Sequence, residues 1–351
     1  MAATRSELAR VNGLDMYYET VGRGGPLVLL HGALSTIETS FGLVLDSFAE
    51  RRQVVAPEQQ AHGHTRDVDR PLTYAQMADD TATLLELLNI EGADLFGYSM
   101  GAGIAFELAI RYPVLVRRIA VASPAYSRDG FRPGVLDGIE TAKPDELAGS
   151  IFHEAYLEVA PDAGAWPTLI QKCNELDRTF RGWPAEELAS IEAPTLVIVG
   201  DSDIIRPDHA VHTFELLADE QHQANGSPGL ATRGAAGNNS PQPRHNAPLD
   251  DLTVPRRDTT PARLIACTTS TSVYERLTPL CGPHLAVIWR CQLAVMSAWA
   301  GKISGVETFG PCSGASPCRR GSVAWFSAYE SRRAAMARSP TRHDDAGARS
   351  G

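Results

Sequence analysis

Apolar runs and helical spacing alternate along the first 215 residues of the chain. Short apolar runs predict buried strands, at residues 27–30, 53–57, 93–96, 118–122 and 194–199. Apolar residues at helical spacing predict helices between them, at residues 74–88 and 101–112, with Asp79 and Asp80 facing outward from the first. Strands that alternate with helices form a mostly parallel sheet covered on both faces. We therefore predict an α/β fold with a doubly wound sheet.

Residues 125–190 separate the last two predicted strands and hold helical patterns rich in aromatic residues. The aromatic side chains are Phe152, Tyr156, Trp166, Phe180 and Trp183. A helical insertion of this kind can roof a pocket, whereas core packing is the alternative for each single aromatic. We predict a small helical cap at about 125–190 within a core that spans residues 1–220.

The pattern changes beyond residue 220. Residues 221–261 include a stretch rich in Gly, Asn, Ser and Pro without apolar periodicity, which predicts a flexible loop. Residues 262–280 have the pattern of a possible remnant of the last core strand and helix. From 281 to 351 arginine almost replaces lysine and local signals disagree with one another, which predicts an aberrant, poorly ordered tail. One hypothesis is that this tail is read from a shifted frame or is otherwise not selected as protein.

Composition narrows the function classes. The chain has 351 residues, of which 43% are hydrophobic and 21% charged, as in soluble globular proteins. A net charge of −10 argues against nucleic acid as a partner, since phosphate binding needs a concentrated cationic face. The amino terminus lacks the apolar stretch of a signal peptide and no window has the length of a membrane span, so we expect a cytoplasmic protein without a membrane partner.

The six cysteines do not form a recognisable framework. Only Cys173 lies in the first two thirds of the chain, and no pair has C-x-x-C spacing, so neither a zinc site nor a set of disulfides is predicted. We expect no metal and no organic cofactor. The sequence does not determine the oligomeric state.

The pentapeptide Gly97-Tyr98-Ser99-Met100-Gly101 carries the strongest chemical signal. It follows a predicted strand and precedes a predicted helix, which is the context of a strained turn that exposes a nucleophilic serine. The flanking glycines let strand and helix approach closely. The amide of Met100, at the helix amino terminus, would stabilise negative charge on a substrate oxygen. We predict Ser99 as a nucleophile, the alternative being an ordinary turn residue.

Two further segments are predicted to supply the second oxyanion-hole donor and the carboxylate that a nucleophilic serine requires. His31-Gly32-Ala33 ends the first central strand, and a turn at Gly32 would aim the Ala33 amide inward as the second donor of an oxyanion hole. Asp203 follows the strand at 194–199 and is the predicted carboxylate that orients a histidine. The alternative is that Asp201 and Asp203 only cap the helix that begins near Pro207.

These segments, in this order, resemble the α/β-hydrolase superfamily, specifically its small esterase-like and haloperoxidase-like serine hydrolases. The resemblance covers roughly residues 10–215, through His31-Gly32 and the stretches 57–64, 97–101 and 200–207. It implies Ser99 as nucleophile, Asp203 as acid, the Ala33 and Met100 amides as oxyanion hole, and an ester or related acyl bond of a small molecule as substrate. His62 and His64, in a turn where Ala61 replaces the usual glycine, are expected to stabilise the loop.

The base histidine of the resembled family is missing from its expected place. Members often end a strand with Gly-Thr-Thr-His, whereas this chain has Cys267-Thr268-Thr269-Ser270, so Ser270 stands at the histidine position. Without an imidazole, the Ser99 proton has no acceptor of suitable pKa. His209, His212 and His222 do not follow the expected strand, and neither do His245 and His284.

Three interpretations stay open. The first is a serine hydrolase whose base histidine is not identifiable from the sequence. The second is a catalytically impaired pseudo-enzyme that keeps the fold and pocket but has lost the triad at Ser270. The third is a protein that binds an apolar ligand under the cap without catalysis.

Overall fold

The strands form one sheet in the computed structural model, which describes residues 4–200, 203–224 and 263–267. The order across the sheet is β1-β2-β4-β3-β5-β6-β7-β8, and all pairs from β4 onward are parallel. The strands are β1 Arg5–Val11, β2 Leu14–Val21, β3 Gly25–Leu30, β4 Arg52–Pro57, β5 Ala93–Tyr98, β6 Val116–Ala122, β7 Thr195–Gly200 and β8 Arg263–Cys267. The predicted α/β fold class with a mostly parallel sheet is confirmed.

Helices connect the parallel strands, as the alternating pattern predicts. Those of the described residues are α1 Ile37–Phe41, α2 Leu45–Ala49, α3 Tyr74–Leu87, α4 Met100–Arg111, α5 Val135–Glu140, α6 Ile151–Val159, α7 Trp166–Thr179, α8 Ala185–Ala189 and α9 Pro207–Ala224. The strands predicted at 27–30, 53–57, 93–96, 118–122 and 194–199 and both predicted helices are present. Helices α5 to α8 occupy the insertion between β6 and β7.

Side chains alternate between two apolar layers, one on each face of the sheet. In β3, Val28 and Leu30 belong to the layer that includes α3 and α4, whereas Leu27 and Leu29 pack with α1 and α2. Each side chain of this size contributes about 1.5–3 kcal/mol when fully buried. The burial of both faces explains why the central strands have uninterrupted apolar runs.

An antiparallel hairpin of β1 and β2 was not predicted from the sequence. Asn12 and Gly13 form its turn, both with positive φ (44° and 86°). In β2, Leu14, Met16 and Tyr18 are buried in alternation with more exposed neighbours. The Asn-Gly pair followed by this alternation is a strong hairpin signal.

The predicted outward position of Asp80 is wrong. Asp80 is buried and pairs with Arg70, and it accepts hydrogen bonds from Asn12 (3.0 Å) and Gln76 (3.1 Å). Asp79 is half-buried and pairs with Arg111 at 2.7 Å. Helical periodicity assigns carboxylates to the solvent face unless their partners come from elsewhere in the chain, here from the hairpin turn and the loop before α3.

Strand β8 lies beside β7 at the edge of the sheet. Its residues pair in parallel with β7, with Gly200 opposite Cys267. The predicted loop at 221–261 and tail at 281–351 fall outside the described residues, except for the end of α9, and the proposed domain boundaries stay a prediction.

Candidate functional site

The joint between β5 and α4 consists of one residue with unusual backbone geometry. Ser99 has φ 53° and ψ −114° and lies directly between the last residue of β5 and the first of α4. Such a conformation costs on the order of 1–3 kcal/mol for a residue with a side chain. Two hydrogen bonds hold it, one from the Ser99 amide to the Ala122 carbonyl (2.9 Å) and one from the Ala102 amide to the Ser99 carbonyl (2.9 Å). The sheet thus fixes the strained turn.

The glycines on both sides of this turn are required because a side chain at either position would collide with neighbouring backbone atoms. A Cβ at Gly97 would collide with the carbonyl oxygen of Gly101, and a Cβ at Gly101 with that of Leu30. These obstacles are backbone atoms, which cannot rotate away. The pattern Gly-x-Ser-x-Gly therefore follows from the close approach of β3, β5 and α4.

The loop after β3 lies against the turn. A Cβ on Gly32 would be 2.9 Å from the Tyr98 ring and 3.6 Å from Ser99 Cβ, so this residue borders Ser99. The loop continues through Leu34, with φ 60°, and closes with a hydrogen bond from the Ser35 amide to the Gly32 carbonyl (3.3 Å). Ala33 stands inside this turn, and Met100, as first residue of α4, has no acceptor within its own helix. Convergence of their two amides on one substrate oxygen stays a prediction.

His31 stabilises the same loop through hydrogen bonds of both ring nitrogens. Its Nδ1 lies 2.8 Å from the Gly32 carbonyl oxygen, and its Nε2 accepts the Gln59 amide at 2.9 Å. This arrangement requires the neutral ring with the proton on Nδ1. Burial lowers the pKa of His31, which keeps that form populated. His31 is therefore a structural residue of the loop.

His62 and Cys173 connect the loop after β4 to helix α7. Nδ1 of His62 donates to the Gln60 carbonyl at 2.9 Å, so Nε2 is an acceptor for the Cys173 thiol at 3.8 Å. Burial and the neighbouring His31 ring lower the pKa of His62 to about 3. The interpretation of His62 as a loop-stabilising residue agrees with these bonds.

His64 has a different partner. The buried carboxylate of Glu58 accepts hydrogen bonds from the His64 amide (2.6 Å), its Nδ1 (2.9 Å) and the Ile37 amide at the start of α1 (3.1 Å). The His64 ring also stacks on Tyr17, with 4.0 Å between ring centroids. Glu58, which was not predicted, thus ties the loop after β4 to α1.

Asp203 lies at the carboxyl end of the sheet and is fully buried. Its Oδ2 accepts hydrogen bonds from Ser123 Oγ (2.7 Å) and the Gly200 amide (3.2 Å), and its Oδ1 from the Ile205 amide (3.1 Å). None of these donors belongs to α9, so they do not correspond to the alternative in which Asp203 caps that helix. Asp201 lies outside the described residues.

Ser123 was also not predicted. It follows β6 directly, has φ 54° and is buried. The sequence signal for Ser123 as a neighbour of Asp203 was its position immediately after a buried strand. The carboxyl ends of parallel strands share one edge of the sheet, so residues that follow them lie close together.

The remaining described histidines have hydrogen-bond partners other than Ser99. His209 Nε2 accepts the Tyr126 amide at 3.3 Å and its ring stacks on Tyr126, whereas His212 Nδ1 lies 2.8 Å from the Tyr126 hydroxyl. His153 Nδ1 accepts the Gly149 amide at 3.1 Å. The structure does not describe the side chains of Ser270, His222, His245 and His284.

The segment between α7 and α8 packs against α3 and α4. Trp183 donates a hydrogen bond to Glu107 of α4 at 2.6 Å. Tyr74 packs against Gly103 and contacts the rings of Phe180 and Trp183, both with centroids 5.2 Å away. Phe152, Tyr156 and Trp166 are buried, in agreement with core packing.

Among the described residues, no group of three or more His, Cys, Asp or Glu side chains could hold a metal ion. No helix in the same ranges combines the length and apolarity needed to cross a bilayer.

Comparisons with known proteins agree with the fold. The model of the Alpha/beta hydrolase family matches residues 27–252, more than half of the chain. A solved structure of 2-hydroxy-6-oxo-6-phenylhexa-2,4-dienoate hydrolase from Rhodococcus sp. strain RHA1 superposes with a TM-score of 0.53 at 19% identity, covering 61% of this chain and 88% of that one. At that identity the likeness concerns the fold alone.

Curated relatives match shorter segments. The chain is 37% identical over 107 residues to 2-hydroxymuconate semialdehyde hydrolase from Pseudomonas sp. strain CF600, covering 30% of this chain and 38% of the relative. It is 32% identical over 143 residues to the dihydrolipoyllysine-residue acetyltransferase component of the acetoin cleaving system from Cupriavidus necator, covering 40% and 38%. The chain thus spans well under half the length of these relatives. Fold, strand-turn-helix joint and family match agree, and the chain belongs to the Alpha/beta hydrolase family.

Proposed function

We propose that the chain is a serine hydrolase that cleaves an ester or related acyl bond of a small substrate, with Ser99 as nucleophile. The observation that carries the proposal is the strained backbone of Ser99 at the β5–α4 joint, bordered by Gly32. A strained conformation maintained by backbone hydrogen bonds on a rigid sheet is typical of functional residues. The hydrolase names among the family relatives support the same reaction class.

The reaction would proceed in two steps. Ser99 Oγ attacks the acyl carbon and loses its proton to a base, while the Met100 and Ala33 amides stabilise the oxyanion. The leaving group departs with that proton, and water then attacks the acyl-enzyme and regenerates the serine. Asp203, held by three described donors, would orient and charge-stabilise the base.

The base belongs, in this proposal, to a histidine outside the described side chains. Each described imidazole has a ring nitrogen engaged by a residue other than Ser99 or Asp203. His222, His245, His284 and His343 are the remaining histidines.

Stopped-flow hydrolysis of p-nitrophenyl acetate tests the proposal. We expect a burst of p-nitrophenol that Ser99→Ala abolishes and that one of four His→Ala changes, at positions 222, 245, 284 or 343, also abolishes. Ser190→Ala, an exposed serine, is the matched control and should retain the burst. A burst equal in the unmodified chain and in Ser99→Ala would refute Ser99 as nucleophile.

A second candidate function is ligand binding without turnover. The observation in its favour is Ser270 at the position where the resembled family has its base. In this case no burst would be measured, whereas a small ligand would bind saturably and with equal affinity to the unmodified chain and to Ser99→Ala. The two candidates therefore give opposite results in the same pair of proteins.

A further inference from the structure

The insertion between β6 and β7 begins with a segment that runs beside the loop carrying Asp203. This loop, residues 203–206, which we term the acid loop, lies between β7 and α9. Phe131 of the insertion and Ile205 of the acid loop form an antiparallel β-bridge. The two stretches therefore meet as short strands do, through their main chains.

Main-chain hydrogen bonds extend on both sides of this bridge. The Arg132 amide donates to the Ile204 carbonyl at 2.9 Å. The Arg206 amide donates to the Gly130 carbonyl at 2.8 Å. These two bonds fix the peptide units before and after Ile205, so the path of the acid loop is set by residues outside it.

The peptide unit between Ile204 and Ile205 links this pairing to the Asp203 carboxylate. A trans peptide unit is planar, so the direction of its carbonyl determines the direction of its N–H. The Ile204 carbonyl accepts the Arg132 amide. The Ile205 N–H of the same unit donates to Asp203 Oδ1 at 3.1 Å. By orienting the carbonyl, Arg132 therefore orients a donor to the carboxylate.

The Arg132 side chain bonds to Asp203 itself. Its Nε donates to the Asp203 main-chain carbonyl at 2.6 Å, and the arginine is half-buried. Because this donor is charged, the bond is expected to be about twice as strong as one between neutral groups. Arg132 thus binds two successive carbonyls of the acid loop, one through its side chain and one through its amide.

The segment that carries Arg132 is anchored in turn. Gly130 lies against the His209 ring of α9, where an added Cβ would come within 2.5 Å of ring atoms. The Tyr126 amide donates to His209 Nε2 at 3.3 Å, and Arg128 donates to a main-chain carbonyl of α7 at 2.6 Å. A group positions a catalytic residue precisely when its own location is fixed by such contacts.

We infer that Arg132 is a positioning residue for Asp203, which it holds through the main chain of the acid loop. This inference rests on the proposed function for the role of Asp203 as the carboxylate that orients the base. Arg132 acts through Asp203 and not on the substrate. The start of the insertion therefore belongs to the structure that aligns the catalytic residues.

Two arginine variants test this role by their effect on turnover. Arg132→Met removes the guanidinium and keeps an unbranched side chain. Arg178→Met is the matched control, because Arg178 also donates its Nε to a main-chain carbonyl, that of Glu140 at 3.2 Å. We expect kcat for p-nitrophenyl acetate to fall at least about tenfold in Arg132→Met with KM unchanged, since misplacement of a reacting group by about 1 Å can cost on the order of 100-fold. Arg178→Met should change neither constant.

Combination with Asp203→Asn separates positioning from a general structural effect. If Arg132 acts through Asp203, Arg132→Met should lower kcat in the unmodified chain and leave it unchanged in the Asp203→Asn background. A general loss of structure would lower kcat in both backgrounds. Arg132→Lys, which keeps the charge but lacks Nε, should show a smaller loss of the same kind, and it replaces Arg132→Met if that protein does not fold.

Hydrogen–deuterium exchange of the full chain provides a readout that does not need turnover. Two amides of the acid loop are bonded, one to Asp203 Oδ1 and one to the Gly130 carbonyl. Peptides that cover residues 203–206 should therefore exchange at least about tenfold faster in Arg132→Met, because opening of this loop costs less free energy. Peptides from α4 should exchange as in the unmodified chain, which would show that the change is local.

Three results would overturn the inference: unchanged exchange of residues 203–206 in Arg132→Met, an unchanged kcat of that variant when the unmodified chain is active, or an equal fall of kcat in the Asp203→Asn background. Failure of the proposed function gives a different result. If no Ser99-dependent burst is measured while exchange of the acid loop is faster in Arg132→Met, the proposed function is refuted and the hold of Arg132 on Asp203 is supported.

Discussion

Ser123 Oγ donates a hydrogen bond to Asp203 Oδ2 at 2.7 Å and so joins the ends of β6 and β7. Both residues are buried, and the Ser123 amide is itself bonded to the Ile198 carbonyl at 2.9 Å. The hydroxyl is therefore held in one place by the sheet. Its role in the proposed mechanism is to position Asp203, because it has no described contact with Ser99.

Ser123→Ala removes one donor from a buried carboxylate. We expect a loss of about 1–3 kcal/mol in the free energy of unfolding, the usual cost of a lost hydrogen bond to such a group. The catalytic efficiency kcat/KM should fall through a lower kcat, since Asp203 would be less well oriented. Urea denaturation and ester hydrolysis measure the two effects. Ser190→Ala is the exposed control, and an equal effect of both changes would contradict the positioning role.

Replacing a glycine of the turn tests the close approach of β3 and α4. Gly101→Ala would place a methyl group against the Leu30 carbonyl oxygen, whereas Gly138→Ala, in α5, meets no atom within 4 Å. We expect Gly101→Ala to yield little folded protein and Gly138→Ala to stabilise the chain by up to about 1 kcal/mol, the difference in helix propensity. Soluble yield and melting temperature decide between these outcomes. A folded Gly101→Ala protein of unchanged stability would show that the close approach of β3 and α4 is wrong.

Most of this joint was predictable from local sequence. The apolar run at 93–96, the Gly-x-Ser-x-Gly pattern and the helical spacing after it all depend on neighbouring residues. The partners of Asp80 and Asp203 could not be predicted, because Asn12 and Ser123 come from distant parts of the chain. The hairpin of β1 and β2 was overlooked although Asn12-Gly13 signalled it. The contact between Cys173 and His62 also required the structure, because these residues lie 111 positions apart in the sequence.

The buried, neutral rings of His31 and His62 predict that the free energy of unfolding decreases at acidic pH. Burial lowers the pKa of His31 and, together with the nearby His31 ring, lowers that of His62 to about 3, whereas an unfolded histidine titrates near 6.5. Because the pKa of a buried ring is depressed in the folded chain, its contribution to the free energy of unfolding is complete above pH about 6.5. That contribution is lost as the pH falls toward 3. For His62 the full difference corresponds to about 5 kcal/mol.

Urea denaturation at pH 7, 5.5 and 4.5 measures this effect. The free energy of unfolding should decrease with falling pH in the unmodified chain and decrease less steeply in His62→Gln. His212→Gln, at an exposed histidine, is the matched control and should keep the original slope. Identical slopes for all three proteins would show that His62 is accessible to protons in the folded state.

The register of β7 and β8 leads to the last prediction. Gly200 pairs with Cys267 in parallel register, and Asp203 and Ser270 each stand three residues beyond these partners in the sequence. Ser270 itself lies outside the described residues. Because parallel neighbours end at the same edge of a sheet, a histidine at position 270 would follow β8 at the offset at which Asp203 follows β7.

Ser270→His should therefore supply a base next to Asp203. Where the unmodified chain gives no burst, as under the second candidate function, we expect kcat for p-nitrophenyl acetate to rise by at least about 100-fold, the lower range of general-base catalysis, and to depend on an ionisation near pH 6.5. Where one of the four remaining histidines already acts as base, kcat should not rise. Thr269→His, one residue earlier, is the matched control, because it adds the same imidazole at a different offset from β8. A rise that persists in Ser270→His combined with Asp203→Asn would show that the new imidazole acts without the carboxylate. No rise, in a chain that already gives a Ser99-dependent burst, would mean that another histidine is the base and that the loss at position 270 has been compensated.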